Sequence, residues 1–297
     1  MKQYHREKIR ARRRTGLSAW ALLAAPVILY SLFMLYPIFR VFGFSLYEWD
    51  GLSDPHWAGF DNYRTLFSNP VLLSSFAHAV VLIIFYAIIP LALGMVLAAL
   101  LIRAKAPGTG FFRTVVFLPQ VIAMVVLAIA WRQLYAPNGL INSALRLIGL
   151  GSITRGWLGD FNTALIAVGF IGTWVSTGLV TVLLMSGMTR IPEDYYEAAR
   201  IDGAGPIRQF FYITLPGIRA EIVVSLTLTI IAALKTFDLV YITTSGGPGS
   251  STSVPSYEVY NHAFRLGEVG VASSLAVVLT LIIFLINLGV NLIGERE

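Results

Sequence analysis

Two ionisable side chains, Lys235 and Asp238, lie well inside a long apolar stretch of this sequence. Three positions separate them, so a continuous helix would carry both on one face. Ionisable groups in a membrane-spanning helix are costly, and they usually face a bundle interior or a water-filled cavity. Two interpretations remain open here: an internal ion pair that neutralises itself, or a pair of charges along the path of a polar solute.

Aromatic and hydroxyl side chains accompany this charged pair, both in the same apolar stretch and in the preceding one. Aromatic platforms combined with groups that hydrogen-bond hydroxyls are suited to sugar recognition. We therefore take Trp174, Thr177 and Phe237, together with Lys235 and Asp238, as a possible translocation path for a solute. Most Ser and Thr side chains in membrane helices mediate helix packing, and that interpretation stays open for each hydroxyl.

Residue types that the sequence lacks exclude several kinds of chemistry. No Gly-Lys pair occurs, so the phosphate-cradling G-x-x-x-x-G-K-[ST] loop is absent, and any ATP would be hydrolysed by another chain. Cysteine is also absent, which excludes disulfides and thiolate metal sites. The His residues are scattered along the chain. We expect no catalytic residue, no metal site and no cofactor in this chain.

The stretches that must position these residues are long enough to cross a membrane. Of the 297 residues, 56% are hydrophobic and 13% are charged, whereas soluble domains carry about a quarter charged residues. A spanning helix needs roughly 20 apolar residues. We predict an all-α membrane protein with a basic leader over residues 1–16 and a transmembrane domain over 17–297. Its six predicted spans are about 17–44, 71–102, 114–134, 161–189, 221–244 and 269–293.

Most Lys and Arg residues lie on one side of these predicted spans, in the leader, the loop after the second span, the loop after the fourth span and the tail. Because basic loops remain in the cytoplasm, we expect both termini to be cytoplasmic. The net charge of +6 is concentrated at membrane flanks rather than on a polar domain. We therefore expect a lipid bilayer as partner and no nucleic acid.

The fourth loop, residues 190–220, is far longer than two helices need for joining. Pro192 suits the first position of a helix, and Glu193 and Asp194 complement the positive end of its dipole. Gly203 supplies a stop. The pattern predicts a polar helix of about three turns, with Ala198 at the centre of one face. This helix could dock on a cytoplasmic partner or lie on lipid headgroups. A helix on headgroups should carry Lys and Arg opposite a strong apolar face, whereas this one has four acids and one Arg, which favours docking.

The spacing of residues in this loop resembles a family motif. Glu197-Ala198-Ala199 is followed after three residues by Gly203, and nine residues separate Gly203 from Ile213-Thr214-Leu215-Pro216. This arrangement is similar to the EAA loop of binding-protein-dependent ABC importer permeases. We call residues 190–220 the EAA loop. The resemblance implies that it couples the spans to an ATPase through Glu197, Ala198, Ala199, Asp202, Gly203, Leu215 and Pro216.

Nearly the whole chain takes part in the resemblance. The segments 112–119 and 237–248 look like the carbohydrate-uptake branch, of maltose type. The resemblance implies a MetI-like helical core in a bacterial or archaeal plasma membrane and a second homologous permease subunit. It also implies two cytoplasmic ATPase subunits that use ATP and magnesium, and an extracytoplasmic solute-binding protein.

The solute and the energy source have alternatives. A sugar or oligosaccharide is the first expectation, and a glycerol-phosphate derivative is the second within the same branch. A phosphate group would favour further Arg or Lys along the path, but Lys235 is alone deep in a span. A gradient-driven secondary transporter would favour coupled carboxylates and inverted repeats, and we find no repeat. A membrane scaffold without transport would need no ordered helix in the EAA loop.

Overall fold

The computed structural model describes residues 23–103 and 108–294. The predicted basic leader, residues 1–16, and the first residues of the predicted first span lie outside the described ranges. Within them the regular secondary structure is helical apart from one pair of two-residue strands, and loops join the elements. In chain order the elements are α1 (Leu23–Phe44), β1 (Tyr47–Glu48), β2 (His56–Trp57), α2 (Asp61–Ser68), α3 (Pro70–Ile102), α4 (Thr109–Val121), α5 (Met124–Leu134), α6 (Leu140–Leu147), α7 (Ala164–Met188), α8 (Glu193–Ile201), α9 (Pro206–Gly217), α10 (Arg219–Leu234), α11 (Asp238–Thr243), α12 (residues 255–266) and α13 (Val269–Gly294).

Four of these helices are each long and apolar enough to cross a membrane: α1, α3, α7 and α13. Two further spans form only if a bent pair of helices counts as one, namely α4 with α5, at 97°, and α9 with α10, at 68°. The stretch predicted as the third span, 114–134, is therefore bent. It breaks at Ile122 and Ala123, whose backbone is extended, with ψ of 136° and 133°.

The stretch predicted as the fifth span, 221–244, is interrupted. Helix α10 ends at Leu234 and the helical backbone resumes only at Asp238. Phe237, between the two, has φ −133° and ψ −62°. Because the helix is interrupted, positions three apart no longer share a helical face, and the predicted common face of Lys235 and Asp238 is wrong.

Proline explains a recurring irregularity in the long helices. A π-helical segment ends two residues before Pro37, before Pro90 and before Pro216. A proline has no backbone N–H and its ring displaces the carbonyl four residues earlier. The wider i→i+5 turn gives that carbonyl another position, so each helix continues through its proline instead of ending.

Helix α7 lies at the centre of the fold. It is the most buried of the four long helices and packs against α3, α4 and α10. Glycines allow the closest approaches: a Cβ on Gly172 would lie 2.0 Å from the ring of Tyr86, and one on Gly178 would lie 2.2 Å from the carbonyl of Val116. Small residues of this kind let membrane helices pack by direct van der Waals contact.

The end of the bundle opposite the EAA loop is closed by hydrogen bonds between distant elements. The Asn62 amide on α2 donates to the carbonyls of Ser45 and Tyr47, each at 2.9 Å. The Val269 N–H, which begins α13, donates to the carbonyl of Trp49 at 2.9 Å. These bonds hold the strand pair between α1 and α13. None of the membrane-spanning residues of helix α1 is buried against the rest of the described chain.

Candidate functional site

The EAA loop contains the predicted short helix, α8. Its C-terminal cap is a Schellman motif: Gly203 has φ +76°, its N–H donates to the carbonyl of Arg200 at 3.1 Å, and the Ala204 N–H donates to the carbonyl of Ala199 at 2.8 Å. Only glycine adopts this left-handed conformation without a steric penalty. Pro192 occupies the position just before the helix rather than its first position.

Helix α8 has no fully buried residue, so the face opposite Tyr196 is available to a partner along its length. Ala198, Ala199 and Asp202 border a depression of about 600 Å³, which Ile213 also lines. Glu197 is exposed at 64% of its side-chain area and lies 3.8 Å from Arg200. An exposed pair of this kind contributes little stability, and the carboxylate therefore remains available for another cation.

Contacts with α9 fix the position of α8 on the bundle. The Tyr196 hydroxyl hydrogen-bonds the Thr214 hydroxyl at 2.9 Å, and the Gln209 amide donates to the carbonyl of Ala204 at 2.8 Å. In the last turn of α9, Leu215 is half-buried and Pro216 is exposed. The predicted coupling residues are thus held on one compact unit, although α8 itself stays outside the hydrophobic core.

The interruption between α10 and α11 is the second candidate site. Lys235 and Asp238 both have exposed side chains, and the described residues contain no ion pair between them. Thr236, between α10 and α11, is buried. Its hydroxyl hydrogen-bonds the hydroxyl of Tyr86, on α3, at 3.2 Å. The two charged groups therefore face away from the packed interior, while the buried Thr236 joins the break to α3.

An aromatic cluster adjoins the break. Phe237 and Tyr241 are stacked, with ring centroids 5.2 Å apart and planes at 18°. Tyr260, on α12, lies 5.3 Å from Phe237 and 5.2 Å from Tyr241, and Phe264 extends the cluster at 5.5 Å. Sequence analysis missed Tyr260 and Phe264, because nothing in the local pattern links α12 to a segment some twenty positions earlier.

The two predicted path residues on α7 differ in position. Trp174 is exposed at 43% and its ring packs edge-on against Trp131, with centroids 5.5 Å apart. Thr177 is buried, and its hydroxyl donates to the carbonyl of Thr173 within the same helix at 2.7 Å. The position of Thr177 thus indicates the packing role left open for such hydroxyls, whereas Trp174 is not covered by the described chain.

A buried His–carboxylate cluster, also missed by sequence analysis, positions α12. The Glu268 carboxylate accepts a hydrogen bond of 2.7 Å from the His262 ring, which lies 3.7 Å from Glu258. Glu258 accepts from the Ser253 hydroxyl, and the Ser253 carbonyl is 2.8 Å from the His78 ring. These contacts join α12 to α3 and to the start of α13. In the ranges 23–103 and 108–294, no group of three or more His, Asp or Glu residues could hold a metal ion.

The fold and these two regions define a helical membrane protein with an exposed, capped helix at one end and an aromatic, charged break within the bundle. Residues 90–296 match the family described as "Binding-protein-dependent transport system inner membrane component". This chain belongs to that family of ABC importer permeases. The predicted MetI-like permease fold is confirmed by this match and by a solved structure.

Individual relatives agree with this family membership. The probable ABC transporter permease protein YurN of Bacillus subtilis is 38% identical over 273 residues, covering 90% of this chain and 92% of the relative. The diacetylchitobiose uptake system permease protein NgcF of Streptomyces coelicolor is 32% identical and covers 90% of this chain and 81% of the relative. A chain of a bacterial ABC transporter that imports alginate superposes with a TM-score of 0.77 at 22% identity, covering 96% of this chain and 99% of that chain.

Proposed function

We propose that this chain is one permease subunit of an ATP-driven importer for a sugar or oligosaccharide. A second homologous permease subunit completes the solute path, and two cytoplasmic ATPase subunits bind ATP and magnesium and hydrolyse the ATP. An extracytoplasmic solute-binding protein delivers the solute. The complex lies in a bacterial or archaeal plasma membrane with both termini of this chain cytoplasmic, because Lys and Arg concentrate on the side of the EAA loop.

The observation that carries this proposal is helix α8. It is rigidly capped at Gly203 and tied to α9 through Tyr196, yet none of its residues is buried. A helix that contributes nothing to the core of its own chain is explained by a partner surface. Its exposed acid Glu197 and small residues Ala198 and Ala199 would allow close contact with a groove that carries positive charge.

The coupling role is tested by Glu197→Ala in the purified complex, with Asp194→Ala on the same helix as the matched control. We expect an ATPase to co-purify with both variants. Solute-stimulated ATP hydrolysis and uptake should fall by at least about tenfold in Glu197→Ala only, which corresponds to roughly 1.4 kcal/mol. Uptake that persists in ATP-depleted vesicles, without any co-purifying ATPase, would instead indicate a gradient-driven carrier.

The aromatic cluster supports a sugar as the solute. Stacked rings with adjacent polar groups bind the apolar faces and hydroxyls of a sugar, and here Phe237 and Tyr241 lie beside the exposed Lys235 and Asp238. The relative NgcF is named for uptake of diacetylchitobiose, a disaccharide derivative. The exposed Lys235 is the observation that favours a glycerol-phosphate derivative as the second candidate.

Competition with labelled solute distinguishes the two candidates. Vesicles that contain the complex and its binding protein are given a panel of neutral oligosaccharides and of glycerol-phosphate derivatives. Phe237→Ala should weaken uptake of a sugar by about tenfold, a loss within the range of aromatic packing terms, whereas Phe237→Trp should retain it. If uptake depends on Lys235 and is indifferent to Phe237→Ala, the solute is the phosphate derivative.

A further inference from the structure

The two ends of the EAA loop are joined by an ion pair. Arg190 lies two residues after Met188, the last residue of α7, and Glu221 lies in the first turn of α10. The Arg190 guanidinium contacts the Glu221 carboxylate. The pair is asymmetric, because the side chain of Arg190 is 69% exposed and that of Glu221 is only 11% exposed. A carboxylate buried to this degree needs its cationic partner, since a charge left alone in such a site is strongly destabilising.

The surrounding residues are shaped to receive this pair. Gly187, in the last turn of α7, has no side chain, and a Cβ there would lie 2.6 Å from the carboxyl carbon of Glu221. Gly217 likewise leaves room for Ile191, the residue after Arg190, since a Cβ at position 217 would lie 2.7 Å from the Ile191 side chain. Ile218, between these contacts, is fully buried. The base of the EAA loop is therefore packed around the ion pair on both sides.

This arrangement has a mechanical consequence. Helix α8 begins three residues after Arg190, and α10 leads directly to the break at Lys235. A contact that fixes the start of the EAA loop to the start of α10 means that a force on α8 displaces α7 and α10 together. Without the contact, the loop could move while the helix that carries the break stays in place.

We propose that Arg190 and Glu221 form a positioning pair that transmits displacement of the EAA loop to α10. The inference deepens the proposed function and rests on it, because it assumes that an ATPase acts on α8. Neither residue touches the solute or the nucleotide. They act through the helices that they join, so their loss should separate ATP hydrolysis from solute movement rather than abolish either activity directly.

The test is the number of ATP molecules hydrolysed per solute molecule imported, measured with the whole complex in proteoliposomes. The variants are Arg190→Gln and Glu221→Gln, each of which removes one charge; Glu221→Gln does so with little change of volume, whereas Arg190→Gln also shortens the side chain. We expect this ratio to rise about five- to tenfold in each, a typical size for a coupling term between two sites. The double variant should be no worse than Glu221→Gln, because residues that act as a unit are not additive.

Two further variants separate positioning from simple stability. Arg190→Lys keeps the positive charge and should keep the native ratio to within about twofold, because the buried Glu221 carboxylate still has a cationic partner. Arg64→Ala removes an ion pair of 3.2 Å with Asp61, whose partners are 84% and 71% exposed, and should leave the ratio unchanged.

Two outcomes overturn the inference. One is a native ratio in both Arg190→Gln and Glu221→Gln. The other is a proportional fall of uptake and ATP hydrolysis in these variants with less assembled complex, which would show a structural role alone. Both differ from failure of the proposed function, in which the unmodified chain itself would co-purify with no ATPase.

Discussion

The EAA loop and the break between α10 and α11 both place polar residues at the ends of apolar helices, but their shapes have different origins. In the EAA loop, α8 ends through hydrogen bonds among residues 199–204, all within one short segment. At the break, Thr236 bonds to Tyr86 on α3, and Phe237 packs against Tyr260 on α12. One region is determined locally, and the other depends on helices that are distant in sequence.

This difference indicates where each function tolerates change. A locally capped helix can keep its shape while the rest of the bundle moves, which suits a part that must bind a partner throughout a transport cycle. A break supported by two separate helices, α3 and α12, changes shape when those helices move relative to one another. Such a site is suited to a solute path whose access alternates.

The largest effect is expected from Gly172→Leu, behind the break. A Cβ at this position would lie 2.0 Å from the ring of Tyr86, which is 3% exposed. Overpacking in a core costs about 1–3 kcal/mol or more, and displacing Tyr86 also removes the support of Thr236. We expect a large loss of folded, monodisperse protein by size-exclusion chromatography. Gly289→Leu on α13 is the control, because nothing lies within 4 Å of its Cβ; equal yields of the two would contradict the packing argument.

A smaller effect on folding, but a large one on transport, is expected when the charges at the break are removed. Lys235→Leu with Asp238→Leu should reduce uptake by at least about tenfold, or roughly 1.4 kcal/mol, while membrane insertion is retained. Both side chains are exposed in the described chain, so the substitutions leave its core intact. Uptake at the native rate by the double variant would exclude a path at this position. The matched control is Arg64→Ala with Asp61→Ala, a pair of exposed charged side chains on α2.

In the EAA loop, Gly203→Ala should have an intermediate effect. The residue has φ +76° with nothing within 4 Å of its Cβ, so the penalty arises from the backbone alone and amounts to about 1–2 kcal/mol. We expect solute-stimulated ATP hydrolysis to fall severalfold, with little change in the thermal unfolding of the bundle. Gly205→Ala is the control, since Gly205 has φ −69°; a loss of similar size there would show that the left-handed cap is unimportant.

The smallest effect is expected from Tyr196→Phe, which deletes the hydroxyl that bonds Thr214 at 2.9 Å. The net contribution of such a bond is about 0.5–1.5 kcal/mol. Limited proteolysis of the EAA loop should become somewhat faster, whereas Tyr195→Phe, which changes a 61% exposed ring, should cleave at the native rate. If both variants are cleaved alike, the bond does not hold α8 on the bundle.

Sequence reasoning succeeded where residue types act on their own neighbours. The stop at Gly203 and the existence of a short polar helix follow from capping chemistry, and the structure places that helix at Glu193–Ile201. It did not foresee the 97° bend in the third predicted span or the interruption between Leu234 and Asp238 in the fifth, because neither leaves a clear mark in an apolar pattern. Pro119 lies within α4 without breaking it, and the helix ends two residues later at Val121.

The side-chain directions on α7 show why apolar patterns are insufficient. Trp174 and Thr177 are three positions apart in a helix that is apolar almost all round, yet one is exposed and the other is buried. In a soluble helix, polar residues would mark the outer face. In a membrane helix both the core and the lipid favour apolar side chains, so the sequence contains little information about which face packs.

The sequence by itself determined the membrane class, the number of apolar stretches and the EAA loop, because length, charge and capping signals act over short distances. The tertiary structure alone decided that α10 stops before Lys235, that Tyr260 joins Phe237 and Tyr241, and that Arg190 meets Glu221. Each of these contacts joins segments that approach only after the helices pack, when close contacts across glycines and buried hydrogen bonds select one arrangement.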